Sequence, residues 1–277
     1  MDWSFLEIRA DEWMNIAGRW FHVVSAIFWV GTTAFFSWMD RHMAGEAADP
    51  ANPVTGELWM VHSGGFYRVE KQRFRAGFMP QMLHWFKWEA AFTWLSGVFL
   101  LWLMFYRTPG ALAAKDSTLS HLAMVHIGLG TLLVGLLLYD LFWNSPLGRN
   151  EWIGGLICFA ALMGVSFGLS RVMDRRVAYI HVGALLGTIM AGNVWMRIIP
   201  GQRRIVRAVS QGTEPNLALA KRAKQRSQHN TFLAFSVVFL MLSSGHFSGT
   251  YGQEWGWAIL GGFVILGWIV RRILNLH

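Results

Sequence analysis

An all-α polytopic bundle of transmembrane helices, about seven spans with the N-terminus outside, is the fold that three observations in this sequence predict. Hydrophobic residues fill 54% of the 277 positions and charged residues only 14%, too apolar a balance for a water-soluble domain of this length. The apolar residues gather in runs of roughly 17–25, the length needed to cross about 30 Å of hydrocarbon at about 1.5 Å per residue. Lysine and arginine, finally, concentrate between alternate runs. Residues 1–277 are read as a single integral membrane domain.

The first run is Asn15–Met39. The acidic, amphipathic stretch before it (MDWSFLEIRADEW) is unlike a cleavable signal, which would be basic and then apolar, and is expected to lie at the interface. Leu83–Tyr106, Leu119–Trp143, Trp152–Ser170 and Val177–Ile199 follow, then Asn230–His246, the weakest of the set, and Trp255–Ile273. Many of the 16 tryptophans are expected as anchors at the membrane–water boundary.

Orientation follows from the cations. The loop at 41–82 carries Arg41, Arg68, Lys71, Arg73 and Arg75, and the loop at 200–228 carries Arg203, Arg204, Arg207, Lys221, Arg222, Lys224 and Arg226. Arg271 and Arg272 fall on the same side, which the positive-inside rule makes cytoplasmic. The three arginines at 171–176 argue mildly the other way. The net charge of +8 is thus a topology signal and a contact surface for anionic lipid, and no separate basic domain exists to bind nucleic acid.

Several chemistries are excluded. The one cysteine, Cys158, lies inside an apolar run, so neither an internal disulfide nor a thiolate metal cage is expected. No CxxCH is present for a covalent haem c, and no GxGxxG or Walker-type loop for a flavin or nucleotide. Gly164 with Gly168 and Gly183 with Gly187 are small-xxx-small patterns of helix packing.

With the spans oriented, His22, His121, His126, His181 and His246 fall in one layer near the outer face, contributed by four helices. Histidines on different helices of a bundle suit axial ligation of haem b, and His22, His126, His181 and then His246 are the candidate ligands. The plain alternative is that each sits near a helix end and bonds a carbonyl; copper is another.

A second cluster lies near the inner face, where a hydrophilic loop meets an apolar run around Gly56–Gly97. Ionisable groups at such a boundary are costly to keep and mark function. On a continuous helix His84, Lys87 and Trp88 would share a face, with Glu89 pointing elsewhere. His62 precedes the flexible Ser63-Gly64-Gly65, and Trp59 stands on the same segment. Asn193 and Arg197 share a face near the inner end of their run. A small planar anion would find a cation, hydrogen-bond donors and aromatic surface there; equally, Lys87 would snorkel and the tryptophans would serve as belt.

Four segments carry a resemblance to a known family: GELWMVHSGGFY, LHWFKWEAAFTWLSG, HVGALLGTIMAGNVWMRIIPGQRR and RWFHVVSAIFWVGTTAFFSWMD. Together they resemble the membrane domain of the PuuD-type urate hydroxylases, bacterial membrane-bound urate oxidases, over most of the chain. The resemblance implies oxidation of urate to 5-hydroxyisourate in the bacterial inner membrane, at the start of purine breakdown. Electrons would pass to a cytochrome c and the respiratory chain. Full-length members carry an eighth span and a cytochrome c domain; this sequence stops at His277, so the expectation is either a separate cytochrome c or other respiratory acceptor, or a truncated or diverged member. Ser63 stands where the family pattern would have a third glycine. On this reading Lys87 or Arg197 holds the urate anion, His62 or His84 acts as base, Trp59, Glu89 and Asn193 line the site, and haem b sits in the outer histidine layer. A cytochrome b-like relay subunit and a non-enzymatic transporter are the competing readings.

Overall fold

The structure, a computed structural model of the chain, describes residues 3–43, 53–114 and 116–275. It is a helical bundle with one small hairpin. Helix α1 covers Ser4–His42, β1 Val54–His62 and β2 Gly65–Gln72. Helix α2 covers Trp88–Leu101 and runs on through a π turn at Trp102–Tyr106; α3 is His121–Asn144 and α4 Glu151–Val172. Helix α5 (Arg175–Gly192) passes through a second π turn, Asn193–Ile198, into α6 (Ile199–Ser210). Helix α7 is Leu217–His246, α8 the short Ser248–Tyr251, and α9 Gly256–Asn275.

Six of these stretches are long and apolar enough to cross a membrane: Ala10–His42, Trp88–Tyr106, His121–Asn144, Glu151–Val172, Arg175–Ser210 and Gly256–Ile273. The chain is a multi-pass membrane protein. The expected run Asn230–His246 is the C-terminal half of α7, packed between α5 and α9; asparagine, serine and histidine at its ends leave it less apolar than the six.

Helix α5 is the centre. Its side chains are apolar on nearly every side, including Val182, Leu185, Leu186, Ile189 and Met190, as a helix surrounded by others must be. Leu132 of α3, Leu162 and Leu169 of α4, Leu240 of α7 and Val264 of α9 join the same core. Close approach falls at other glycines than those expected. A Cβ at Gly135 would lie 2.5 Å from Leu185 and one at Gly192 2.5 Å from Leu136, so α3 and α5 are in near-backbone contact. Of Gly164, Gly168, Gly183 and Gly187, only Gly183 has close neighbours, Met241 and Leu240.

Three local expectations are corrected. The 41–82 loop, of which 44–52 lie outside the described residues, contains the β1–β2 hairpin, closed by Ser63 at φ 48° and Gly64 at φ 78°. Two consecutive left-handed residues match the right-handed twist of the strands, which is why a glycine stands second. Helix α2 begins at Trp88, not Leu83: Pro80 offers no amide, and Lys87 has φ −146°, outside helical space, so His84 lies on irregular chain and shares no helix face with Lys87. The 200–228 loop is mostly helix, since α6 and α7 leave only residues 211–216 between them. The arginines at 171–176 serve helix ends: Arg176 Nε donates to Ser244 O at 2.8 Å and Arg175 Nη1 to Gly252 O at 2.7 Å.

Candidate functional site

A carboxylate within an apolar helix needs partners. Asp140, in the sequence LLLYDLFWN of α3, has two. Arg197, delivered by the π turn after α5, donates Nε to Oδ1 at 2.7 Å and Nη2 to Oδ2. Arg226 of α7 adds Nη2 to Oδ1 at 3.3 Å. Arg197 is 40% exposed, whereas Arg226 is 3% exposed and its Nη1 has no partner among the described residues. One carboxylate therefore serves two guanidiniums, and the cluster carries an excess positive charge.

A neutral network continues inward. The Arg226 guanidinium lies 5.1 Å from the Tyr139 ring centre. Asn193 Nδ2 donates to Tyr139 Oη at 3.1 Å and to Asn230 Oδ1 at 2.8 Å, and Asn230 Nδ2 donates to Met190 O at 3.0 Å. The Tyr139 hydroxyl, accepting from Asn193, also hydrogen-bonds with His229 Nδ1 at 2.7 Å. Asn193 is buried within this network, not presented at a surface.

Beside the same π turn, Lys87 Nζ stands 5.1 Å from the Trp88 ring centre and 5.9 Å from that of Trp195, and the two indoles meet edge to face at 5.8 Å. Trp88 and Trp195 remain 54% and 37% exposed. A cation against two open indole faces is a surface on which a flat anion can stack and be neutralised.

The remaining inner residues stand apart. His84 is exposed and its ring touches Phe86 at 4.7 Å. Glu89 is half-buried in the first turn of α2. His62 is exposed at the tip of the hairpin, and Trp59 donates Nε1 to Glu57 Oε1 at 2.5 Å beneath the Arg68 guanidinium. No described contact joins His62 or Trp59 to Lys87. Arg68 first, then the Trp59 indole, hold the Glu57 carboxyl below its ordinary value.

In the outer layer the histidines separate. His181 is fully buried, with Nδ1 on Val177 O and Nε2 on the Tyr106 hydroxyl, both at 2.9 Å. Tyr106 also accepts His121 Nε2 at its carbonyl, at 2.7 Å. His22 sits deeper along α2, with Nδ1 at 2.9 Å from Thr93 O and 3.0 Å from Ser96 Oγ, over Gly97. His126, expected deep, is exposed, because it points about 200° around α3 from Gly128, the residue against His181. His246 is exposed at the end of α7. Among the described residues no contact joins any two of the four candidate ligands His22, His126, His181 and His246. Of the four, His22 combines an Nδ1 held on a main-chain carbonyl with an Nε2 free of any described partner, an arrangement that His42 repeats on Trp38 O. No group of three or more His, Cys, Asp or Glu placed to hold a metal ion occurs among the described residues.

Asp140, Tyr139, Arg226, His229 and Trp195 are the members of the inner site that the sequence reading missed. Asp140 was the available signal, a lone acid in a long apolar run. Arg226 was hidden among surface-like cations.

No curated protein and no solved structure is significantly similar to the chain. Residues 9–277 match the family model described as urate oxidase N-terminal, and the chain belongs to that family.

Proposed function

We propose that this protein oxidises urate to 5-hydroxyisourate in the bacterial inner membrane, with its N-terminus outside, and passes the electrons to a separate cytochrome c or other respiratory acceptor. The observation that carries this reading is the placement of Lys87 against Trp88 and Trp195, beside the π turn that delivers Arg197, in a member of the urate oxidase N-terminal family.

Urate is a planar monoanion at neutral pH. Lys87 neutralises it while the indoles stack on its ring, and Arg197, the more exposed of the two arginines on Asp140, follows Trp195 by two residues on the same π turn. Water adds as hydroxyl at C5: the urate monoanion and one water give neutral 5-hydroxyisourate, one proton, which the water releases, and two electrons, so the oxygen gained comes from water and two one-electron acceptors are reduced. A histidine takes the proton released in that step, and His84 and His62 are the residues to exchange for glutamine. A haem b belongs to the proposal on His22, the histidine whose contacts suit an iron ligand; when bound it stores single electrons between urate and the acceptor.

The test is anaerobic loss of urate absorbance by the purified chain with added ferricytochrome c. Urate consumed with cytochrome c reduced supports the reading. Urate left intact by a folded protein with ferricytochrome c and with a soluble quinone refutes it.

A further inference from the structure

The helix Arg175–Ser210 is 36 residues of unbroken rod. At about 1.5 Å per residue it measures about 54 Å, against about 30 Å of hydrocarbon and about 40–45 Å of whole bilayer. Its first residues, Arg175 and Arg176, are fixed to helix ends on one side of the bundle. Its last turns must therefore reach headgroup level on the other side. Those turns are α6, which is divided sharply: Ile199, Gly201, Ile205 and Val209 are buried, while Arg203, Arg204 and Arg207 are exposed. Among the described residues none of these three arginines is ion-paired.

Next to that basic face is a cavity of about 160 Å³, lined by Phe74, Phe78, Met79, Leu83, Val206 and Val209, with Gln72 and Arg73 supplying its polar lining. The chain that forms its other wall is fixed to α6 by Gly77 N, which donates to Val209 O at 3.0 Å. Arg75 adds a guanidinium 5.1 Å from the Phe78 ring centre. An apolar slot at headgroup depth, ringed by guanidiniums, matches a molecule with a hydrocarbon tail joined to a phosphate.

We propose that the slot and the arginine face of α6 form a binding site for one anionic glycerophospholipid, an acyl chain in the slot and the headgroup phosphate on Arg203, Arg204 or Arg207. The site is separate from Lys87 and Arg197 and does not depend on the urate reading. Charge complementarity selects the lipid over an apolar partner, because burying this face against a neutral surface would leave three guanidiniums without counter-ions.

The experiment is thermal unfolding of the full chain in neutral detergent with added phosphatidylglycerol, phosphatidylcholine or inorganic phosphate. Phosphatidylglycerol is expected to raise Tm by several degrees, and the other two to leave it within one degree. The triple variant R203Q/R204Q/R207Q is expected to lose that shift. Val206→Trp, which fills the slot and keeps every charge, is expected to lose at least half of it. Where Val206→Trp does not purify folded, Met79→Glu, which brings a carboxylate to the slot from the loop side, is expected to give the same loss. Equal shifts with phosphatidylglycerol and phosphatidylcholine overturn the proposal, as does a shift of the same size with inorganic phosphate. A full phosphatidylglycerol shift in either slot variant overturns it too, because the charged surface alone would then account for binding.

Discussion

Arg197 and Asp140 form a two-point ion pair between the π turn after α5 and the apolar helix α3, with Nε 2.7 Å from Oδ1 and Nη2 on Oδ2. That geometry fixes the aim of Arg197, which is 40% exposed. It also leaves the buried Arg226 with a share of one carboxylate oxygen, the Asp140 main-chain carbonyl at 3.4 Å, and an Nη1 without a partner among the described residues.

Asp140→Asn removes the only carboxylate between two guanidiniums. The buried Arg226 then keeps its charge without a counter-ion, a change that costs about 3–5 kcal/mol. The expected result is a large loss of thermal stability in detergent. Adding Arg226→Met to the same protein should recover more than half of it, because the uncompensated charge goes with the side chain. A double variant as unstable as the single one would show that Arg226 is not the group Asp140 satisfies.

Gly128 and Gly130 lie about half a turn apart, on different faces of α3. A Cβ at Gly128 would stand 2.7 Å from His181 Nε2 and 2.9 Å from the Tyr106 hydroxyl, while one at Gly130 meets nothing within 4 Å. Gly128→Ala is expected to destabilise the protein by about 1–3 kcal/mol. Gly130→Ala should be neutral or stabilising by up to about 1 kcal/mol, since alanine costs less to order in a helix. Equal Tm values for the two variants would contradict the close packing of His181 on α3.

Lys87→Met keeps the length of the side chain and removes its charge. If urate is held against Trp88 and Trp195 by that charge, KM for urate should rise about tenfold or more, equivalent to about 1.4 kcal/mol. Lys87→Arg retains a cation that stacks on indoles and should stay within a few-fold of the parent. Steady-state urate oxidation with ferricytochrome c measures both, and an unchanged KM in Lys87→Met removes the residue from the site.

The haem proposal has a spectroscopic outcome. The purified chain should show a Soret band that His22→Ala abolishes and His126→Ala leaves in place, because of the four candidate ligands only His22 has its Nδ1 anchored and its Nε2 without a described partner. A Soret band that survives His22→Ala would place the iron elsewhere.

The hairpin carries a conformational and a pH prediction. Gly64, at φ 78°, exchanged for valine should cost about 1–2 kcal/mol locally and speed proteolysis between Val54 and Gln72. Glu57 is held below its ordinary value by Arg68 and then Trp59, so the protonated form is favoured in the unfolded strand. That contribution is complete above the ordinary glutamate range and is lost as pH falls below it, so the same proteolysis should quicken on acidification.

The membrane bundle was legible because length and apolarity are properties of each run by itself. Pairings across helices were not. The run from Leu119 to Trp143 announces a span, but nothing local tells that Asp140 in it meets Arg226, 86 positions away. His126 and His181 read alike as residues early in a span; the angle around the helix, set by tertiary contact, buries one and exposes the other. The hairpin did have a local signal, since TGELWMVH and FYRVEKQ flank a Ser-Gly turn and strands close across so short a loop. The start of α2 was obscured because LHWFKW is apolar enough to extend the run, while the backbone stays irregular until Lys87.

The π turn at Asn193–Ile198 has a consequence for how this helix could have diversified. Such a turn closes its hydrogen bonds one residue later than its neighbours, so it is where a helix accommodates an inserted residue without losing its continuity. Deleting one residue within the turn would return it to ordinary helical spacing and leave both buried stripes, Val182, Leu185 and Ile189 before it and Ile199, Ile205 and Val209 after it, facing inward. The change would be confined to the turn itself, and with it to the aim of Arg197 at Asp140. Length variation in this helix is thus tolerated at one place, and that place is the one that directs the guanidinium.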